Sequence, residues 1–295
     1  MSDQAWQRVL EPRTRPERVL VLGQSGMVGR AWCELLGSES IEHEALARPE
    51  FDLSDPESIN RALDNRYDLV VNAAAWTDVD GAESDEQGAN RANAHAVEQI
   101  ARRCADFGLF LITYSTDYIF GGSASSPYPI DAPIEPLNAY GRSKALGESM
   151  LRAVSDHHLL IRTSWVHAPW GKNFVLTMRS LMQSRDQLSV VDDQRGRPSN
   201  AGSLASGSLD LYLAGAAGTW HLTDAGECSW HGLACEIREQ LGRSCEINPC
   251  TSEAFPRPAK RPAYSTLDIG PTEQLIGPLP KWELGVRQSL GHSFG

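Results

Sequence analysis

No run of apolar residues in this 295-residue chain approaches the roughly 18 that a membrane-spanning helix needs, so no such span is expected. Positive charge is scarce: 27 Lys and Arg face 38 Asp and Glu, a formal net charge of −11. That balance argues against a nucleic-acid backbone or an anionic membrane as a general partner. It leaves room for a local basic pocket holding a phosphorylated ligand. Cysteine is sparse as well. The six (Cys33, Cys104, Cys228, Cys235, Cys245 and Cys250) show no repeated close spacing and are expected as reduced, packed thiols. Cys228, His231 and Cys235 can share a helix face, but three ligands without a fourth do not make a metal site, and no metal is expected. Internal repeats and low-complexity tracts are missing. The first residues lack an apolar signal region, so a cytoplasmic protein with a polar leader over residues 1–17 is expected.

What is present is an ordinary globular composition, 41% hydrophobic and 22% charged, in a chain long enough for one large domain or two modest ones. An apolar strand at residues 18–22 runs into a glycine-rich turn, Gly23–Gly29, and a helical continuation over 30–36. Strands are expected at 41–47, 68–75, 109–114 and 159–163, with helices at 54–63, 87–107 and 140–154 between and after them. The helix at 54–63 carries its own start signal, with Ser54 as N-cap, Pro56 in the first turn and Glu57 at the capping-box position. In the 87–107 helix, Ala92, Ala96, Ile100 and Cys104 fall in one row. Strands alternating with helices imply an α/β fold, a Rossmann-type doubly wound parallel sheet. Past Trp165 the pattern loosens into helices at 173–184, 201–213 and 229–241, a strand at 218–222, and a proline-rich, irregular tail from Asn248. The expected division is an NAD(P)-binding domain over 18–168 and a smaller mixed α/β substrate domain over 169–295, with segments free to cross back.

Three features carry chemistry. Gly23, Gly26 and Gly29 follow a strand and open a helix, where glycine lets the backbone approach a pyrophosphate seated at the helix N-terminus. The second strand ends without the Asp or Glu that would grip the ribose 2′-hydroxyl of NAD, and Arg48 stands nearby to accept a 2′-phosphate, so NADPH is favoured with NADH possible. Asp52 and Leu53 lie where the next turn meets adenine, and Asp52 serves equally well as an N-terminal helix residue. Ser115, Thr116 and Asp117 end the central strand, where open α/β sheets place their ligands. Tyr140 and Lys144 stand one helical turn apart, which puts phenol and ammonium on one face. A cation beside a phenol favours the phenolate, so a lowered tyrosine pKa is expected.

With these motifs the chain resembles the dTDP-4-dehydrorhamnose reductase family of extended short-chain dehydrogenases from Val19 to about Leu290. The matching segments are Asn72–Asp80 with Ala82 and Glu83, Ser115–Phe120, Pro127-Tyr128, Asn138–Lys144 and Arg162–Trp165. Gly171–Phe174, Val190–Gln194 with Gly196 and Pro198, and Arg261–Ser265 complete the series. The chain departs from the family pattern at Met27-Val28, Ile130, His167 and Ser199. The resemblance implies that Tyr140 donates the proton, that Lys144 binds the nicotinamide ribose and supports the tyrosine, and that Thr116 tunes the proton network. It places Gly26, Met27, Val28, Asp52, Leu53, Ala74, Ala75, Trp76 and Thr77 along the cofactor. Thr116, Asp117 and Trp165 fall at the sugar.

The implied reaction is reduction of the C4 ketone of a nucleotide-linked 4-keto-6-deoxysugar, dTDP-4-dehydro-L-rhamnose, by NADPH. Tyr140 acts as general acid. Expected partners are thus a nucleotide-sugar substrate and, compatibly, a second copy in a homodimer, with neither nucleic acid nor membrane. The competing readings are a reductase of another nucleotide 4-keto-deoxysugar, an epimerase or dehydratase that retains its NAD, and a non-catalytic NADP-binding regulatory subunit.

Overall fold

The computed structural model describes residues 6–291, so the first five leader residues lie outside it. A short strand, β1 (Gln7–Val9), precedes β2 (Arg18–Leu22), α1 (Met27–Ser38), β3 (Glu42–Leu46), α2 (Pro56–Ala62) and β4 (Leu69–Asn72). Then come α3 (Val79–Ser84), α4 (Glu86–Asn90), a π-helical turn (Arg91–His95), α5 (Ala96–Phe107), β5 (Phe110–Thr116), α6 (Ala139–Val154) and β6 (His158–Thr163). The remainder holds β7 (Val166–His167), α7 (Phe174–Ser184), β8 (Gln187–Val191), β9 (Arg195–Gly196), β10 (Ser199–Asn200), α8 (Ala201–Leu213) and β11 (Ala216–His221). It closes with β12 (Cys228–Ser229), α9 (Trp230–Gln240), β13 (Glu246–Cys250), α10 (Gly270–Ile276) and α11 (Trp282–Ser289).

Seven strands form the main sheet in the order β1-β11-β6-β5-β4-β2-β3. All neighbours are parallel except β1, which runs antiparallel to β11. The chain winds outward from β2 to β3, then returns to β4 on the other side, so the strand order reverses between β2 and β4. Ligands of doubly wound sheets bind at that reversal, beyond the carboxyl ends of the strands. Apolar runs such as Leu69-Val70-Val71 and Phe110-Leu111-Ile112 are buried on both faces, as central parallel strands require. One face is covered by α1 and α8 through Trp32, Leu36, Leu204 and Leu209. The other is covered by α2, α5 and α6 through Ile59, Ile100, Cys104 and Leu151. A separate apolar cluster joins α7, α9 and α11 with β8 and β13 through Val175, Leu233, Ile247 and Val286.

Several expectations are corrected. Helix α2 is capped by Asp55, whose carboxylate accepts the Glu57 N–H at 3.0 Å, while the Ser54 hydroxyl donates to Asp52. The residue directly before the N1 proline thus takes the cap, one position later than the capping-box pattern suggests. The 87–107 helix is interrupted by the π-helical turn, whose extra residue rotates the register. Asn93 and Ala94 become buried, and Ala92 drops out of the row that Ala96, Ile100 and Cys104 keep. The tail is irregular over 251–269 apart from one short 3-10 turn, but it also contributes the end of β13, and α10 and α11. All six cysteines are free; Cys104, Cys228 and Cys245 are packed inside, while Cys33, Cys235 and Cys250 are half-buried.

Candidate active site

The turn after β2 works because its three glycines leave no Cβ at the points of closest backbone approach. Gly23 has φ +90, and a Cβ there would sit 2.7 Å from the Ala74 nitrogen. A Cβ on Gly29 would overlap the Gly23 carbonyl. Gly26 is the N-cap of α1 and offers no capping hydroxyl or carboxylate, and the first turn of that helix carries no acidic residue. The N–H groups opened by Met27 and Val28 are therefore left for an external anion, which fits a dinucleotide pyrophosphate. At the ribose end, β3 stops at Leu46 with no carboxylate at its tip, and Arg48 is exposed. Asp52 is engaged locally, accepting the Ser54 N–H and hydroxyl at 2.8 Å each, and these bonds hold its carboxyl below the usual range. Leu53 packs on the α2 core.

The reacting groups meet at the carboxyl end of β5. Asn138 caps α6, accepting the Gly141 N–H at 2.8 Å, so Tyr140 and Lys144 occupy its first two turns. Lys144 is buried and its Nζ donates to the Tyr114 carbonyl at 2.7 Å. Burial lowers its pKa to about 8, while Glu148 one turn on pulls it back up. The expected depression of Tyr140 is not found. Burial dominates and pushes the phenol up to about 12, with the Thr116 hydroxyl partly offsetting the rise. Thr116 also donates to Asp117 Oδ1 at 3.0 Å. Asp117 is buried, which raises it to about 7, and its Oδ2 has no partner among the described residues. The ring of Tyr118 meets that of Tyr140 edge-on at 6.1 Å.

One residue that the pattern did not single out ties these parts together. The Asn93 side chain accepts the Trp76 N–H at 2.9 Å and donates to the Trp76 carbonyl at 3.0 Å and to Ser143 Oγ at 2.9 Å. Ser143 in turn donates to the Tyr140 carbonyl at 2.7 Å. A single amide thus fixes both the loop holding Ala74, Ala75, Trp76 and Thr77 and the first turn of α6. The only sequence signal for it is an asparagine among apolar positions of a helix, where that residue is disfavoured.

Beyond the sheet lies a cleft of about 890 Å³ walled by Phe174, Met178 and Trp230, with Lys172, Arg185, Arg257 and Arg261 on its rim. This is a basic concentration in an acidic chain. Arg261 makes a two-pronged pair with Asp80 of α3, 3.0 Å on each prong, joining the late loop to α3. Trp165 has φ +47 and stacks on Trp230 with centroids 3.6 Å apart and planes 9° from parallel. Gly196 is bare on its other side, where a Cβ would sit 2.8 Å from the indole. Trp165 therefore builds the wall that presents Trp230 to the cleft. The family departures lie elsewhere: His167 hydrogen-bonds Ser289, Ser199 accepts from Thr163, and Ile130 lends its carbonyl to Arg162. Cys235 and His231 lie 3.6 Å apart, with the Asp192 carboxylate 3.7 Å from the other ring nitrogen, and no group of three or more side chains placed to hold a metal occurs among the described residues.

A family model described as the RmlD substrate binding domain matches residues 17–293. A dTDP-4-dehydrorhamnose reductase of Burkholderia thailandensis is 40% identical over 290 residues, covering 91% of this chain and 96% of the relative. One from Streptomyces griseus is 37% identical, covering 95% of each. The crystal structure of dTDP-4-dehydrorhamnose reductase from Bacillus anthracis in complex with NADP has a TM-score of 0.88 at 29% identity, covering 95% of this chain and all of that one.

Proposed function

The chain belongs to the dTDP-4-dehydrorhamnose reductase family, and from that premise we propose that it reduces the C4 ketone of dTDP-4-dehydro-L-rhamnose to dTDP-L-rhamnose with NADPH. The observation that carries the reading is the meeting, at one end of the sheet, of a glycine-rich dinucleotide turn with Thr116, Tyr140 and Lys144. When bound, the reduced nicotinamide supplies the hydride.

The protein's own groups supply the rest. Tyr140 Oη, kept protonated by burial, donates the proton to the developing alkoxide, general acid catalysis worth roughly 10²–10⁴-fold. The Thr116 hydroxyl lies beside the phenol and orients that proton. Lys144, pinned to the Tyr114 carbonyl, holds a positive charge one helical turn away and meets the nicotinamide ribose. Asp117, with a free Oδ2, accepts a sugar hydroxyl. Gly23, Gly26, Gly29, Met27 and Val28 cradle the pyrophosphate, with Ala74, Ala75, Trp76 and Thr77 along the dinucleotide. Asp52 and Leu53 sit at the adenine, and exposed Arg48 takes the 2′-phosphate. The cleft receives the substrate's nucleotide: Trp230 and Phe174 provide apolar faces for the base, and the rim arginines face its diphosphate. In this reading residues 18–168 hold the dinucleotide and the segment from 169 holds the substrate, with α8 and β11 returning to the first sheet.

Purified protein should consume NADPH when given dTDP-4-dehydro-L-rhamnose and release dTDP-L-rhamnose. Tyr140→Phe should lose nearly all of that turnover while still binding NADP⁺. A panel of nucleotide 4-keto-deoxysugars scored by product stereochemistry identifies the sugar. Turnover on a different member alone would redirect the substrate assignment, and full activity in Tyr140→Phe would remove the tyrosine from its role.

A further inference from the structure

One six-residue loop touches both ligand sites. Residues 168–173 leave β7 and enter α7. The Trp170 indole N–H donates to the Met27 carbonyl at 3.3 Å, in the first turn of α1 beside the glycine turn. The Arg30 guanidinium, one turn further along α1, lies 4.3 Å from the Trp170 ring centroid. Gly171 has φ +72 and packs so near Met27 that a Cβ there would stand 3.1 Å from Met27 Cγ. Asn173 Nδ2 is 3.7 Å from Met27 Sδ. The loop is also stiff: the Asn173 amide donates to the Ala168 carbonyl at 2.9 Å and the Trp170 carbonyl at 3.2 Å, and its oxygen caps α7 at the Leu176 N–H, 3.1 Å away. On its far side Lys172 and Phe174, the neighbours of Gly171 and Asn173, line the cleft.

We propose that this loop, through Trp170, couples the two sites, so that a dinucleotide at the glycine turn and a nucleotide in the cleft each tighten the binding of the other. Trp170 is then a positioning residue for the reaction. An anion drawing the first turn of α1 towards itself carries the Met27 carbonyl, and with it the indole that rests there. Because the loop is tied to itself by Asn173, Trp170 does not move without Lys172 and Phe174. The coupling is reciprocal by thermodynamic necessity. The inference rests on the functional reading above for the identity of the two ligands.

The test is a titration without turnover, using NADP⁺ and dTDP as probes in calorimetry. The NADP⁺ dissociation constant is measured alone and at saturating dTDP, and then the order is reversed. The wild-type protein should show tightening of about fivefold or more, by the same factor in both directions. In Trp170→Ala the factor should fall to within about twofold of one, and Trp170→Phe, which keeps the ring but loses the N–H, should lie between. Arg30→Ala, on the exposed side of α1, removes the guanidinium that holds the indole against α1 without opening the core; it should lower the factor part of the way towards one and keeps the test available should Trp170→Ala not fold. The ratio cancels any change in a single affinity, so a merely structural role for Trp170 leaves it unmoved. A wild-type factor of one with both probes bound, or an undiminished factor in Trp170→Ala and Arg30→Ala, overturns the coupling and leaves the functional reading standing. Failure of either probe to bind the wild type overturns both.

Discussion

The phenol of Tyr140 sits where burial, not the neighbouring lysine, sets its proton affinity, and a group held up to about 12 is a proton donor at every pH the protein will meet. The activity profile near neutrality should then be shaped by other groups. Asp117 is the first of them. Its folded pKa of about 7 lies above the 3.8 of a free aspartate, so the folded state keeps a proton that the unfolded chain gives up. The stability this group contributes is complete below about pH 4 and is lost as pH rises through 7. Asp117→Asn keeps an oxygen for the Thr116 hydroxyl and cannot ionise. The melting temperature of that variant minus that of the wild type should therefore climb between pH 4 and pH 8. His158, His167 and His221, all pushed down by burial, act in the opposite sense below neutrality, but they change equally in both proteins and cancel in the difference. A flat difference would show that the carboxyl is ionised at all these pH values. The glycine turn and the Tyr140–Lys144 pair were legible because both are local: a chain bend and a one-turn spacing need no distant partner. The direction of the tyrosine shift was not legible, since it depends on how deeply the folded site is buried and on where the Lys144 ammonium points.

Between residues and the whole fold, the elements show which signals travel. Helix α6 was readable to within a residue because Asn138 caps it locally. The π-helical turn was not, because what accompanies it is the Asn93 amide, whose partners Trp76 and Ser143 lie 17 and 50 residues away. Gly147 accommodates the same turn, for a Cβ there would overlap the Asn93 carbonyl. Asn93→Ala should leave the half-buried Trp76 N–H without its acceptor, costing about 1–3 kcal/mol of stability in urea denaturation. The same substitution should lower kcat, since Ser143 and the Tyr140 turn lose their tie to the cofactor loop. A variant as stable and active as the wild type would show that the bulge holds itself. At the other end of the same assembly, Gly29→Ala brings a methyl into the Gly23 carbonyl. It should abolish NADP⁺ binding in a calorimetric titration even where circular dichroism shows a folded protein.

At the scale of the molecule, the chain order hides how the first and second halves of the sequence interleave. Strand β11 joins the main sheet beside β6, α8 packs on α1, and Arg261 reaches back to Asp80, all from the half where the strand–helix pattern loosens. These placements arise from long-range burial and pairing, which a local period cannot report. The same interleaving gathers Lys172, Arg185, Arg257 and Arg261 from three separate segments onto one rim, in a protein whose net charge is −11. Such a rim attracts a diphosphate at close range while the surrounding field repels it, so its contribution should be sensitive to salt. Arg261 is occupied by Asp80, whereas Arg257 forms no ion pair among the described residues and is exposed. Arg257→Ala should therefore raise KM for the nucleotide sugar several-fold with kcat nearly unchanged, the signature of an interaction made equally in ground and transition states. KM for NADPH should stay as it was. Raising the salt from low to about 0.5 M should lift the wild-type KM towards that of the variant, because screening removes what the substitution removes. If instead kcat falls and the salt response is the same in both proteins, Arg257 lies outside the diphosphate's reach and the cleft holds the substrate by its aromatic walls.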